Sequence, residues 1–199
     1  YTYNAALQLS TITDPKGQTF LQNTYDDQGR IISQEYGQGG FQFDYELSAQ
    51  AGDTLGYRTQ MRQKDGGHLL LQHDARGHVI ERTLFVSASS LAEESRAAAS
   101  GGIVALTTRS TFNRHGQLVA RSFPAGNAMT WVYDEDHSDP RNRRNLLQVT
   151  HTPAPGTKSD SPEITTRYTY EPKYQRCQSI TNARGHTQHF VYDPRGNLV

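Results

Sequence analysis

Tyr25-Asp26-Asp27-Gln28-Gly29-Arg30 is the phrase whose reading decides this chain: a ring, an acid, two open positions, a glycine and a base. It returns as Phe112-Asn113-Arg114-His115-Gly116-Gln117, as Tyr192-Asp193-Pro194-Arg195-Gly196-Asn197 and, led by an imidazole, as His73-Asp74-Ala75-Arg76-Gly77-His78. Two related turns lack the ring, Asp14-Pro15-Lys16-Gly17 and Asn182-Ala183-Arg184-Gly185. An internal repeat fixes architecture before any single motif is weighed. Asp or Asn at the first place of a type I turn accepts a hydrogen bond from the backbone two residues on, and Pro15 and Pro194 bring a suitable φ to the second place. Glycine then supplies the positive φ that closes a turn-plus-bulge hairpin. Asp14, Asp26, Asp74, Asn113, Asn182 and Asp193 are expected to form turns that Gly17, Gly29, Gly77, Gly116, Gly185 and Gly196 complete.

The flanks read as strands. Phe41, Phe43 and Tyr45 alternate with Gln42, Asp44 and Glu46; Met129, Trp131 and Tyr133 alternate with Thr130, Val132 and Asp134. Tyr168 and Tyr170 do the same, and Phe190 and Tyr192 less cleanly. Such period-two patterns, rich in rings and Thr, predict an all-β chain of antiparallel hairpins with one apolar face. Tyr25 and Tyr192 end their strands, where the ring can cover the neighbouring strand and the hydroxyl can stay wet.

Composition bounds the rest. A chain of 199 residues is one domain or a piece of a larger one. Twenty basic against 20 acidic residues give a net charge of +0, which offers no electrostatic footprint for nucleic acid or an anionic membrane. The hydrophobic fraction of 34% and mean hydropathy of −0.76 are lean for a thick core, yet 11 Tyr and 7 Phe argue against disorder. A thin sheet reconciles the two. No apolar run is long enough to span a membrane, and no signal peptide is evident. The chain starts at Tyr1 without Met and stops just after a turn, so it is expected to be a fragment of a longer polypeptide. Its single cysteine, Cys177, falls in a strand-like stretch and reads as a small apolar residue. The absence of any Asn-x-Ser/Thr sequon fits a bacterial source.

Along the chain, residues 1–46 hold closely spaced hairpins, the first of which, Tyr3-Asn4-Ala5-Ala6-Leu7, has lost its glycine. Residues 47–60 are less regular, with a turn expected at 52–56; strands resume from Tyr57 to Val86, broken near Asp65-Gly66-Gly67. The Ala/Ser-rich insertion 87–102 is either a short helix near 90–99, since Ser90 and Glu93 resemble a capping box, or a flexible loop. Strands run from Ile103 to Tyr133. Loops follow at 134–145 and 153–162, and the closing unit contains a degenerate turn at Glu171-Pro172-Lys173-Tyr174.

No reactive constellation emerges. His68, His73 and His78 lie five apart, which puts neighbours on opposite faces of a strand, and no Cys/His cluster has zinc spacing. Asp134, Asp136 and Asp139 lack the spacing of a calcium loop, and no helix follows Gly37-Gln38-Gly39-Gly40 to make a phosphate site. The chain is expected to be neither an enzyme nor a holder of metal or cofactor.

The Tyr-Asp-x-x-Gly-Arg phrase at Tyr25 to Arg30 resembles the YD repeat of RHS-repeat proteins. The run from Arg167 through Asn182-Ala183-Arg184-Gly185 to Leu198 resembles two consecutive copies. The resemblance covers most of the chain apart from 47–60, 87–102 and the two later loops. It implies long antiparallel strands wound into a curved, twisted, hollow shell, which in bacterial polymorphic and insecticidal toxins encloses a C-terminal toxic domain. It implies as partners the remaining repeats of the shell and that enclosed toxin, with self-association through cut sheet edges if the piece stands alone. It also extends to teneurin-type adhesion proteins, so a binding module contacting glycan or protein through rings such as Trp131 is the alternative.

Overall fold

Turn chemistry dominates the architecture. The computed structural model describes residues 1–37, 39–49, 55–63, 67–87, 102–156 and 162–199. Among these the regular structure is entirely β, fifteen strands and no helix, and each strand's neighbours in the sheet are its neighbours in sequence. The helix expected near 90–99 and the turns at 52–56 and 65–67 fall largely outside the described residues.

Two compact units divide the chain, Tyr1–Thr107 and Thr108–Val199. The first holds β1 (Thr2–Tyr3), β2 (Leu9–Thr13), β3 (Thr19–Tyr25), β4 (Ile31–Tyr36), β5 (Gly39–Ala49), β6 (Leu55–Gln63), β7 (His68–His73), β8 (Val79–Ser87) and the start of β9 (Ile103–Phe112). The second holds the rest of β9, then β10 (Leu118–Ser122), β11 (Ala128–Tyr133), β12 (Leu146–Thr152), β13 (Ile164–Tyr170), β14 (Cys177–Thr181) and β15 (Thr187–His189). All recorded pairings are antiparallel. β5 and β6 claim backbone on both sides of the stretch expected to be irregular: Leu47 pairs with Tyr57 and Ala49 with Leu55. β15 stops at His189, so Phe190 and Tyr192 are not part of a regular strand; Tyr192 makes only an isolated bridge to Leu198.

The alternation sorts the two faces as expected. In the first unit Phe41, Phe43 and Tyr45 are half-buried while Gln42, Asp44 and Glu46 are exposed. Their rings follow one another at centroid spacings of 6.2 and 6.5 Å, and Phe43, Met61, Leu69 and Leu84 line up across four strands. In the second unit Trp131, Val149 and Thr166 form the corresponding row. The opposite face is a hydroxyl face: Thr150 meets Thr165 at 3.2 Å and Thr169 meets Ser179 at 2.7 Å. Cross-strand Thr and Ser pairs of this kind stabilise a sheet without a hydrophobic layer above them. Val149 is the single buried hydrophobic residue among the described ones, which is the burial of one layer rather than two.

Candidate functional site

Successive turns of a chain-order meander fall alternately at the two ends of its strands. The repeat uses this alternation. In the first unit the turns that follow Tyr3, Tyr25 and His73 share one rim, while those after Thr13 and Tyr36 lie at the other. In the second unit the turns after Phe112, Tyr133 and Tyr170 share a rim, and those after Ser122 and Thr181 lie opposite. Among these turns, rings lead those of one rim, and small hydroxyl residues lead most of those of the other.

Each turn is built the same way. Asp26 N–H donates to the Arg30 carbonyl at 2.9 Å and Gly29 N–H donates to the Asp26 carbonyl at 3.0 Å. The Asp26 carboxylate accepts the amides of Gln28 at 3.0 Å and Arg30 at 2.8 Å. Asp14, Asp74, Asn113, Asn182 and Asp193 accept the matching amides two and four residues on. Gly17, Gly77, Gly116, Gly185 and Gly196 carry positive φ at the fourth place. The fifth place answers the first. Arg30 pairs with Asp26 at 2.7 Å and His78 with Asp74 at 2.9 Å, whereas Gln8 pairs with Asn4 at 2.8 Å and Gln117 with Asn113 at 3.2 Å. Asp193 is met by the Asn197 side-chain amide at 3.0 Å, so the fifth place answers the first with whichever donor it carries.

These bonds shift the carboxyls. The Arg30 amide, opposed by desolvation and helped by the Arg30 side chain and the Gln28 amide, holds Asp26 below its ordinary value. Partial burial opposes ionisation of Asp74, but the His78 side chain and the amides of His78 and Arg76 outweigh it. The Asn197 amide and side chain lower Asp193. In the enlarged turn the Arg141 guanidinium lowers Asp139 to about 2.

The rings do something the sequence does not announce. Tyr25 was expected to keep a wet hydroxyl; instead it donates to the Leu9 carbonyl at 2.7 Å. Tyr45 donates to Ile31 at 2.7 Å, Tyr170 to Leu146 at 2.9 Å and Tyr192 to Cys177 at 2.7 Å. Every acceptor is the first strand residue after the preceding turn on the same rim, so each tyrosine stitches its hairpin to the one before. Tyr45 and Tyr170 are stitch residues that the phrase alone does not reveal, because Glu46 and Glu171 stand where the phrase has Asp. Arg30 works in the other direction, its guanidinium lying 4.5 Å from the centroid of the Tyr45 ring. Gln8 and Gln117 reach forward too, donating to the carbonyls of Gly29 at 3.0 Å and Arg144 at 3.1 Å, both positive-φ residues of the next turn on that rim. A Cβ on Gly29 would meet Gln8 Nε2 at 2.8 Å, so here glycine serves close approach as well as φ.

One turn is missing from the sequence reading. Phe123-Pro124-Ala125-Gly126-Asn127 adds a second turn, after the one at Asn113, to the strands expected from Ile103 to Tyr133: Phe123 N–H donates to the Asn127 carbonyl at 2.9 Å, and Gly126 has φ +86°. It lacks Asx at the first place, but Pro at the second and Gly at the fourth were a usable signal. Among the described residues no group of three His, Cys, Asp or Glu side chains is placed to hold a metal ion, and no helix is long and apolar enough to cross a membrane. His78 is engaged by its turn, and the His68 ring stacks on Phe85 at 4.7 Å. Cys177 donates its thiol to the Ser179 carbonyl, and burial raises its pKa, away from a reactive thiolate.

Residues 3–40 match the family model for the RHS Repeat. No curated protein matches the chain. Among solved structures, the crystal structure of TcdB2-TccC3-Cdc42 is 16% identical with a TM-score of 0.34, all of this chain overlying 13% of that one. The crystal structure of TcdB2-TccC3-TEV gives 14% and 0.32 with the same coverage, and the Photorhabdus luminescens Tc holotoxin pore gives 14% and 0.34, again with 13% of its chain covered. At such scores these likenesses add nothing to what the strands themselves show.

Proposed function

We propose that this chain, which carries an RHS repeat over residues 3–40, is wall material: a segment of a β-shell that encloses a toxic domain of the same polypeptide until delivery from a bacterial cell. The observation that carries the reading is the stitch. Tyr, Asp, Gly and Arg of the Tyr25 phrase are all occupied in forming one hairpin or joining it to the next, which leaves no part of the phrase for chemistry on a substrate. A sheet that extends by identical joints is limited only by the number of repeats. Closing such a sheet hides its edges, which is how a long antiparallel wall avoids pairing with other chains. The residues proposed to serve this role are the turn set Asp14, Gly17, Asp26, Gly29, Asp74, Gly77, Asn113, Gly116, Asn182, Gly185, Asp193 and Gly196, with Tyr25, Arg30 and Tyr192 as joints. The role is structural, and catalysis is assigned to none of them.

Electron cryomicroscopy of the complete polypeptide tests the reading. The expected result is a closed wall of these strands around a cavity that holds density for a further domain. A sheet with no internal cavity overturns it.

A further inference from the structure

We infer that the pocket beside the enlarged turn of the second unit binds a guanidinium group, the head of an arginine side chain. The repeat shows what that turn lacks. In the Tyr25 phrase a cation fills the space between the turn acid and the next ring on the rim. Arg30 Nε and Nη2 donate to Asp26 Oδ2 at 2.8 and 2.7 Å, and the guanidinium lies 4.5 Å from the centroid of Tyr45, the ring that stitches to Ile31 directly after Arg30. Arg176 closes its own turn through its carbonyl and lies 5.6 Å from the centroid of Tyr192, which stitches to Cys177 directly after it.

The enlarged turn keeps this frame and omits the cation. Asp134 N–H donates to the Asn145 carbonyl at 2.9 Å, and Arg144 stands in glycine's place with φ +76°, so Asn145 occupies the position of Arg30. Tyr170 stitches to Leu146, directly after Asn145, as Tyr45 does to Ile31. The Asp134 side chain is half-buried and makes no hydrogen bond or ion pair among the described residues, unlike that of Asp26. The arginines of the turn do not supply the charge: Arg141 pairs with Asp139 at 2.7 Å, and Arg143 donates to the His137 carbonyl at 2.8 Å. The acid and the ring are left on a cavity of about 250 Å³, lined by Asp134, Asn142, Asn145, Tyr168 and Tyr170 among others.

The ligand class follows from the acid and the ring. An unpaired carboxylate repels an anion, and a neutral ligand leaves it uncompensated. A metal ion finds no group of three His, Cys, Asp or Glu side chains among the described residues. A guanidinium donates two N–H groups side by side to a carboxylate and lays its flat face on a tyrosine ring, which a compact ammonium cannot do at once. Asn142 is only 7% exposed, and its Oδ1, engaged by a single long 3.4 Å bond from Asn145, can accept a further N–H. The volume lies below the roughly 300–1,000 Å³ of drug-sized sites, which suits one side chain. The site does not depend on the shell reading.

The test is titration of the 199-residue chain with N-acetyl-arginine N-methylamide, followed by amide chemical shifts. The lysine analogue and the citrulline analogue, in which a neutral urea replaces the guanidinium, are titrated beside it. The arginine probe should give saturable shifts confined to residues 134–145 and 168–170. It should bind at least about tenfold more tightly than the citrulline probe, which lacks the charged bond. Asp134→Asn, nearly isosteric, should weaken arginine binding by a similar factor with an unchanged thermal midpoint, since the carboxylate holds no turn bond. Asn145→Arg restores the cation of the Tyr25 phrase from within, and should abolish probe binding while raising the thermal midpoint. Absence of saturation with the arginine probe overturns the inference. So does equal or tighter binding of the lysine or citrulline probe, or arginine binding that survives both substitutions.

Discussion

Leu7 and Gln175 stand where the repeat has glycine, yet both keep its left-handed backbone, each at φ +61°. The turns persist because the remaining bonds over-determine them: Asn4 accepts the amides of Ala6 and Gln8, and Glu171 accepts those of Lys173, Tyr174 and Arg176. A β-carbon in this region costs about 1–2 kcal/mol, and Leu7 is 85% exposed, so little packing offsets the strain. Leu7→Gly should therefore stabilise the chain by about 0.5–1 kcal/mol after the extra entropy of an unfolded glycine is counted. A urea midpoint that falls instead would show that Leu7 packs where the structure leaves it open. The turn carboxylates supply a second expectation. Asp26, Asp74, Asp139 and Asp193 have lowered pKa values, so the stability they contribute is present above the unfolded value of about 3.9 and is lost as pH falls through the folded values. Carboxyl carbon titration by NMR should place all four below 3.8, with Asp139 lowest near 2. A midpoint at or above 3.8 for Asp26 would mean that its two amide bonds do not persist in solution.

Between hairpins the stitch decides what holds. Tyr25→Phe keeps the ring and removes the bond to the Leu9 carbonyl, a loss of about 1 kcal/mol for a hydrogen bond of this kind. Tyr36 is the control: it lies at the opposite rim, is 44% exposed, and its hydroxyl bonds no described residue, so Tyr36→Phe should be silent. Equal effects in chemical denaturation would remove the special standing of the ringed rim. The hairpins were legible in the sequence because Asx, Pro and Gly act within five residues, and local bonds write local signals. The stitch was not legible, because a tyrosine that donates to a carbonyl 14 to 24 residues away looks the same in sequence as one that faces water. The Phe123 turn was missed because it keeps the backbone bonds of the phrase without its side-chain acceptor.

At the scale of the whole chain, a sheet with a single buried hydrophobic residue among the described ones gets its cohesion from strand neighbours, so every unpaired strand edge is a place where cohesion is missing. Tyr1, just before β1, and Tyr3, within it, are 78% and 60% exposed, and Val191, Leu198 and Val199 are 62%, 61% and 76% exposed beyond β15. Apolar residues on an open edge template pairing with another chain. The 199-residue chain in isolation should therefore associate, its sedimentation coefficient rising with concentration. Tyr3→Lys with Val191→Lys should suppress this, since lysine on an edge opposes strand addition at little cost to a fold that does not bury those positions. If association were driven instead by the ringed face, the two lysines would leave it unchanged, while a polar change at half-buried Phe43 would abolish it. The two variants thus separate growth along the sheet from stacking across it. Only growth along the sheet is what a wall built of repeats requires.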